Sequence, residues 1–350
     1  MPGLKLLHIA DVHFGKKGRE GDILKQLEKV VEIGLKEKVD LLLIGGDLFD
    51  NNEVSQREKE LLKEALSPLK ERVVAICGNH DFQVDLQGLP FYKRPTPLRV
   101  GDDLLLYLFP FHPEGSWQKV VLENLSPERQ APCQVVLCHA SYTENPRVLG
   151  DLTEDQALYW PFSRKDIEGL PIDYLALGHY HNGLLWEEKG ILCGYPGSIE
   201  PLSFKEEGPR KAFLLLWEGK IRVEEIELGS QVPHLTFRWT LGFDLEEEEL
   251  FRRLRALKDE KGRFQVILSG FVKDRELFLF KLKEFEELDK FKFVPKVIDY
   301  KKVEEDLLLR NMVKLLEEHL KRKIPSESER KERFERLLSL SFHLLGEDVD

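Results

Sequence analysis

The sequence contains few sulfur-bearing residues: 4 Cys and 2 Met among 350 residues. The cysteines form no C-x-x-C pair, so a structural zinc site is not expected. Most of them lie in or at the end of apolar runs, where cysteine packs as a small hydrophobe. The four residues are Cys77, Cys133, Cys138 and Cys193. This usage predicts a reducing, cytoplasmic setting.

Long apolar runs are also absent. A membrane-spanning helix requires about 18 consecutive apolar residues, and no run approaches that length. No membrane-spanning helix is therefore expected. The N-terminal stretch has no charged segment followed by a longer apolar one, so no signal peptide is expected either.

A positive net charge is the third absence. The formal charge is -11 and the pI is about 5.6. A protein that binds nucleic acid through its overall charge is basic, so this chain is not of that kind. Attraction for a polyanionic substrate must therefore be local, through bound metal ions or small basic clusters.

The length exceeds the about 100–200 residues of one domain, which predicts a large domain and a smaller one. The first two-thirds alternates short apolar runs, typical of buried strands, with helical patterns. Strands are predicted at residues 4–10, 40–45, 73–77, 104–109, 134–138 and 173–177, with helices around 23–35 and 61–69. This alternation predicts an α/β fold whose mixed sheet is covered by helices.

The pattern becomes strand-rich after about residue 185. Strands are predicted at 190–193, 212–217 and 221–226, and 229–233 is a predicted linker. A small α+β unit follows, with strands at 234–241, 264–272 and 293–298 and helices at 245–257 and 274–288. A tail holds two predicted helices, one at 303–320 and one after Ser326. The predicted domains are therefore 1–228, 231–300 and 301–350.

Polar residues follow five of the predicted strands, at the point where each strand ends. They are Asp11, His13, Asp47, Asn79, His139, His179 and His181. Ligands of an α/β sheet bind outside the carboxyl ends of its strands, so these side chains are expected to converge on one cleft. The two-residue spacing within Asp11/His13 and His179/His181 puts both side chains on one face if the segments are extended.

This set of side chains predicts a metal centre. Imidazole, carboxylate and one amide suit manganese, iron or zinc, whereas calcium prefers more oxygen donors. Asp47 can bridge two ions about 3.5–4 Å apart, which clamp a phosphate and activate a water. His80 is predicted to act on the phosphate as a general acid or a charge stabiliser. Asp81 is predicted to hold the His80 ring in one tautomer.

The alternative is that each residue is structural. A single histidine at a strand end is more often structural than a ligand, and Asp and Asn are ordinary turn residues. Five motifs in one order, all at strand ends, favour the metal site.

In that order the motifs are Asp-x-His, Gly-Asp-x-x, Gly-Asn-His-Asp, a lone His and Gly-His-x-His. Together they resemble the signature of calcineurin-like metallophosphoesterases, over residues 4–201. The resemblance implies a two-sheet sandwich flanked by helices, with two metals at one edge. It implies that one ion is held by Asp11, His13, Asp47 and His181, and the other by Asp47, Asn79, His139 and His179.

Within that superfamily the chain looks most like the SbcD family of DNA repair nucleases, which includes YhaO-type relatives and is the counterpart of the meiotic-recombination-eleven nuclease. The supporting stretches are LLHIADVHFG (6–15), GGDLFDNNEVS (45–55) and GHYHNGLLWEEKGILCGYPGSIEPLSF (178–204). The turn at 195–198 is especially characteristic.

This second resemblance implies a manganese-dependent DNA nuclease of double-strand break repair, a 3′–5′ exonuclease with endonuclease activity. It also implies a DNA capping domain at about 231–300, a tail that docks an SbcC-like SMC-type ATPase, and a homodimer. One position departs from the pattern: many relatives carry a second His where this chain has Asp50. The departure leaves open how the substrate end is oriented.

Several other residues are candidates for substrate contact. Lys16, Lys17 and Arg19 form a basic loop that either touches a DNA phosphate or is simply solvated. Tyr180 either contacts a base or packs in the core. Ser198, in the characteristic turn, is also assigned to the substrate.

Two further functions stay open. One is a phosphatase or phosphodiesterase acting on nucleotides or other small phosphoesters through the same metals; such an enzyme needs no segment like 231–350. The other is an assembly module whose site has degenerated, against which the intact ligand set argues.

Overall fold

The computed structural model describes residues 3–145, 159–206, 208–241, 245–299, 307–324, 326, 329–330 and 333. The chain forms two compact units, Met1–Gln231 and Val232–Asp350. Among the described residues, no helix combines the length and the apolar character that crossing a membrane requires.

The first unit contains two six-stranded sheets. Sheet one has the order β12-β11-β1-β2-β3-β4. Its strands are β1 (Leu4–Ile9), β2 (Leu41–Ile44), β3 (Val73–Ile76), β4 (Phe91–Tyr92), β11 (Lys211–Trp217) and β12 (Ile221–Glu227). β1 to β4 are parallel, and β11 returns antiparallel to β1. The carboxyl ends of β1, β2 and β3 therefore lie at one edge.

Sheet two has the order β5-β6-β7-β8-β10-β9. Its strands are β5 (Thr96–Val100), β6 (Leu104–Phe109), β7 (Cys133–His139), β8 (Tyr174–Gly178), β9 (Leu184–Glu188) and β10 (Ile191–Tyr195). The four central strands are parallel, and each edge strand is antiparallel to its neighbour.

Helices flank the sheets. They are α1 (Glu20–Glu37), α2 (Gln56–Leu66), a 3₁₀ helix (Ser67–Arg72), α3 (Trp117–Asn124) and α4 (Arg164–Ile167). A capping box starts α2, because Ser55 accepts from the Glu58 N–H and the Glu58 carboxylate accepts from the Ser55 N–H. A left-handed Lys38 ends α1.

Three apolar layers hold the first unit together. Successive β1 residues face opposite sides: Leu7 packs towards the helices, and Leu6 packs between the sheets. Leu106 and Tyr174 of sheet two join Leu6 in that middle layer. Trp117 of α3 belongs to the layer on the far side of sheet two. The structure therefore confirms the predicted two-sheet sandwich flanked by helices.

The second unit alternates strands and helices. They are β13 (His234–Leu241), α5 (Glu247–Asp259), β14 (Arg263–Val272), α6 (Arg275–Glu286) and β15 (Phe291–Asp299). The elements come in the predicted order, but all three strands run parallel in the order β13-β14-β15, so the unit consists of βαβ repeats. Parallel pairing follows because each connection is long enough to hold a helix.

The described part of the tail contains α7 (Leu307–Lys323), close to the predicted helix at 303–320. The predicted second tail helix, with Phe334, Leu337, Leu338, Leu340 and Leu345, lies outside the described residues. The four cysteines are buried free thiols, as predicted for small hydrophobes. Burial raises the pKa of Cys133 to about 12.

Candidate metal centre

The loops that follow β1 and β2 run side by side beyond the ends of the strands. Asp11 N–H donates to Gly46 O at 3.1 Å, and His13 N–H donates to Asp47 O at 2.9 Å. Asp11, His13 and Asp47 take left-handed φ angles of 52°, 50° and 48°. The expectation of an extended Asp11–His13 segment is therefore wrong: the side chains are aimed by a left-handed backbone.

This left-handed backbone is strained. A non-glycine residue held in the left-handed region costs about 1–3 kcal/mol and persists where surrounding bonds impose it. His179, after β8, also has a positive φ, of 105°. Its N–H donates to both Asp11 carboxylate oxygens, at 3.0 and 3.1 Å. This contact ties a loop of sheet one to a loop of sheet two.

Glycines let the two sheets meet at the centre. A Cβ on Gly178 would lie 1.9 Å from Gly45 O, and a Cβ on Gly46 would lie 2.3 Å from the His139 ring. Side chains at these positions would separate the loops that carry the candidate ligands.

The donor atoms of the first predicted ion set lie close together. Those of Asp11, His13 and His181 fall within 4.8 Å of one another. Those of Asp11 and Asp47 lie equally close to that of His139, a residue of the second set. His13 Nε2 and His181 Nε2 are 3.2 Å apart. His13 Nε2 is also 3.7 Å from Asp47 Oδ2.

The ligands of the second predicted ion lie around Asn79. Its Oδ1 lies 2.9 Å from His139 Nε2 and 3.2 Å from His179 Nδ1. His139 Nε2 is 3.4 Å from Asp47 Oδ2, so Asp47 adjoins both sets. The structure thus brings all seven predicted ligands into one cluster.

Backbone carbonyls fix two of the rings at this centre. His139 Nδ1 lies 2.9 Å from Gly45 O, and His80 Nδ1 lies 2.8 Å from Asp50 O. A carbonyl only accepts, so each Nδ1 carries the proton and each neutral ring has its lone pair on Nε2. For His139 that lone pair points at Asn79 and Asp47, as a metal-binding histidine requires.

Carboxylates fix two further rings in the same way. His13 Nδ1 lies 3.2 Å from Asp50 Oδ1, and His181 Nδ1 lies 3.2 Å from Glu206 Oε1. Both Nε2 atoms then face the cluster. Sequence reasoning missed Glu206 altogether, because its loop carries no recognisable motif. Asp50 was singled out in the sequence, but the hydrogen bond that its carboxylate accepts from the ligand His13 was not predicted.

The charges of the cluster are interdependent. Burial lowers the pKa of His139, yet the Asp47 and Asp11 carboxylates raise it to about 9. Burial would raise the pKa of Asp47, but His139 and His13 keep it well below its usual range. Burial raises the pKa of Asp11. Buried carboxylates and imidazoles at this density form a strongly coupled charge cluster.

These residues fit a pair of divalent ions. Nitrogen and oxygen donors from several loops meet at one buried point, and hydrogen bonds or a positive-φ backbone orient six of the seven predicted ligands. Asp11 and His139 are fully buried, and Asp47, His13 and His179 are at most 2% exposed. Burying so many titratable groups is costly, and coordination of a metal offsets that cost.

Asp81 has a different role from the predicted one. Its carboxylate accepts from Gly78 N–H at 2.7 Å, Leu48 N–H at 2.7 Å and Phe49 N–H at 3.1 Å. The His80 ring is held by Asp50 O instead, so the predicted contact between Asp81 and His80 is wrong. Asp81 joins the loops that follow β2 and β3.

The basic loop divides into three different environments. Lys16 Nζ pairs with Asp50 Oδ1 at 3.1 Å beside the centre, and Lys17 is exposed. Arg19 is 3% exposed and donates to Pro201 O and Glu200 Oε1, so it is structural. Arg19 is therefore neither a phosphate contact nor solvated, the two alternatives that the sequence left open.

Two other assigned substrate contacts are buried. Tyr180 is 4% exposed and packs edge-on against Tyr195 in the core of sheet two. Ser198 is fully buried and donates to Glu206 Oε2 at 2.6 Å. Neither side chain is available to a substrate, because burial by packing and by internal hydrogen bonds removes it from the surface.

Comparison with known proteins agrees with this geometry. Residues 4–183, half of the chain, match the family described as Calcineurin-like phosphoesterase. The chain therefore belongs to the calcineurin-like phosphoesterases, a class of metal-dependent phosphoester hydrolases whose centre holds two metals.

The chain is similar to archaeal proteins named DNA double-strand break repair protein Mre11. That of Methanopyrus kandleri is 29% identical, with 72% of this chain and 62% of that protein covered. That of Sulfurisphaera tokodaii is 26% identical, with 83% and 79% covered. It is also similar to the uncharacterized metallophosphoesterase YhaO of Bacillus subtilis, 24% identical, with 61% and 57% covered. The chain thus spans less than two-thirds of two of these relatives.

Proposed function

We propose that the chain is a two-metal nuclease that hydrolyses phosphodiester bonds of DNA during double-strand break repair, as a 3′–5′ exonuclease with endonuclease activity. In this proposal the bound ions are Mn²⁺, and the chain works with an SMC-type ATPase of the SbcC kind. The segments 231–300 and 301–350 serve as a DNA capping domain and a partner-docking tail.

One observation favours DNA over small phosphoesters. The similarity to the Sulfurisphaera protein covers 83% of this chain, whereas the first unit holds only 231 of the 350 residues. The similarity therefore extends from the phosphoesterase unit into the second unit. A small-molecule phosphatase has no need of that second unit.

The chain's own residues have separate tasks in this proposal. Asp11, His13, Asp47 and His181 would hold one ion, and Asp47, Asn79, His139 and His179 the other. When bound, such a pair activates a water and neutralises charge on the phosphate.

The proposal assigns His80 to the leaving group. Its Nδ1 is committed to Asp50 O, and its donor atom lies within 4.8 Å of those of His13 and Asp47. When doubly protonated, the ring can donate from Nε2 to the leaving oxygen. Lys16 is 35% exposed and pairs with Asp50, and in this proposal it would meet a backbone phosphate.

Turnover of two substrates in Mn²⁺ tests the proposal. The full chain is expected to cleave double-stranded DNA and to act poorly on cyclic nucleotides. A fragment ending at Gln231 keeps the whole metal centre and is expected to hydrolyse a small phosphodiester but to lose most DNA cleavage. Preference of the full chain for cyclic nucleotides would contradict the proposal.

A further inference from the structure

Of the four histidines in the cluster, His181 is the one least fixed by packing. Its side chain is 17% exposed, against 2% for His13 and none for His139. Its ring therefore depends more on directed bonds for its orientation. The bond that meets its Nδ1 comes from Glu206, on the loop between β10 and β11.

The Glu206 carboxylate is itself firmly held. Oε2 accepts from Ser198 Oγ at 2.6 Å and from Leu202 N–H at 3.0 Å. Oε1 accepts from Ser203 Oγ at 3.2 Å as well as facing His181. The side chain is 5% exposed, so these partners are not replaced by water.

Arg210 contacts both His181 and the Glu206 carboxylate. Its Nη1 donates to His181 O at 3.0 Å and to Ser198 Oγ at 3.2 Å, and it lies 3.6 Å from Glu206 Oε2. One buried guanidinium thus fixes the backbone of the ligand and the carboxylate that holds the ligand's ring. Ser198, which contacts both Glu206 and Arg210, belongs to the characteristic 195–198 turn. The turn therefore helps to fix the carboxylate that orients His181.

We infer that Glu206, fixed by Ser198 and Arg210, is a positioning residue that sets the tautomer and ring direction of His181 and thereby the affinity of one of the two metal ions. The inference rests on the proposed metal centre. Glu206 reaches the centre at His181 Nδ1, and His181 belongs to only one of the two predicted ion sets. The larger effect is therefore expected on that ion. Loss of such a partner typically weakens metal binding by about 10–100-fold.

Titration of the metal-free full chain with Mn²⁺ alone tests this inference. Wild type is expected to take up two ions. Glu206→Ala is expected to bind one ion normally and the other about 10–100-fold more weakly. Glu206→Gln, which keeps an acceptor oxygen for His181 Nδ1, is expected to lie between them.

Glu200→Ala is the matched control. Glu200 is also buried, lies on the same loop, and accepts from Arg19, Ser230 and Gln231. It should lower the melting temperature of the metal-free protein without changing either affinity. Nitrogen-15 NMR of the metal-free protein gives a second readout, because Glu206→Ala should shift His181 from its Nδ1–H tautomer.

The metal titrations distinguish failure of this inference from failure of the proposed metal centre. Two ions bound to Glu206→Ala with wild-type affinity overturn the inference, as does equal weakening of both ions or the same pattern in Glu200→Ala. A wild type that binds fewer than two ions contradicts the proposed metal centre instead, so the two failures are distinguishable. If Glu206→Ala does not fold, the Glu206→Gln comparison decides.

Discussion

At the scale of single residues, hydrogen bonds rather than position in the sequence separate ligands from their neighbours. His80 and Asn79 are adjacent, yet Asn79 Oδ1 meets two imidazoles of the cluster while the His80 ring turns to Asp50 O. This difference assigns the two residues separate roles and can be tested by substitution.

His80→Gln is expected to keep both ions but lose turnover by about 10²–10⁴-fold, because glutamine cannot deliver a proton. DNA cleavage rates and metal content of the same preparation measure the two effects. His319→Gln, an exposed histidine of α7, is the control and should leave the rate unchanged. Full activity of His80→Gln would remove His80 from the reaction.

Asp81→Ala is expected to act on stability. It would leave the N–H groups of Gly78, Leu48 and Phe49 buried without their acceptor, at about 1–3 kcal/mol each. We expect a loss of about 3 kcal/mol or more in the free energy of unfolding, measured with urea. The exposed Asp85→Ala should change it by less than about 0.5 kcal/mol. Equal stability of the two variants would contradict the role given to Asp81.

The sequence predicted the seven clustered residues because each follows a strand and has a ligating side chain. It did not predict Glu206, which reaches His181 from a loop without a pattern. It misplaced Arg19, because burial of that guanidinium depends on Glu200, a partner 181 residues away. Contacts over such separations are a property of the fold and leave no local pattern.

At the scale of elements, the strands with continuous apolar runs were all predicted, since they lie inside the two sheets. The missed strands β4, β5 and β9 are all edge strands. β5, for example, has no fully buried residue, and its five residues contain no continuous apolar run. The left-handed backbone of Asp11, His13 and Asp47 was also missed, because nothing about Asp or His requires it.

Gly178→Ala tests whether the close approach of Gly178 to Gly45 is required for the metal centre. Its methyl group would clash with Gly45 O, so the loop carrying Asp47 and the loop carrying His179 must separate. We expect a lower melting temperature and weak metal binding, measured by calorimetry. Gly21 of α1 has open space around a Cβ, so Gly21→Ala should change stability by no more than about 1 kcal/mol. Normal metal binding by Gly178→Ala would show that the approach is not required.

At the scale of the whole molecule, the charge of -11 argues against attraction of DNA by the overall field. In this account the ions and a few exposed cations such as Lys17 provide the local attraction. The second unit and the proposed partner would supply the remaining contacts.

A shortened chain that ends at residue 300 tests whether segment 301–350 binds the proposed partner. We expect the full chain to capture an SMC-type ATPase from its own host, and the shortened chain to lose that capture while keeping its metals and its small-phosphodiester turnover. Capture by both chains would place the docking surface outside 301–350.

The most direct test of the central claim is to count and locate the ions. Crystals grown with Mn²⁺, measured at the manganese absorption edge, should show two anomalous peaks about 3.5–4 Å apart, with Asp47 between them. One ion should contact His13 and His181, and the other Asn79 and His139. A single peak, or two peaks away from these side chains, would contradict the account.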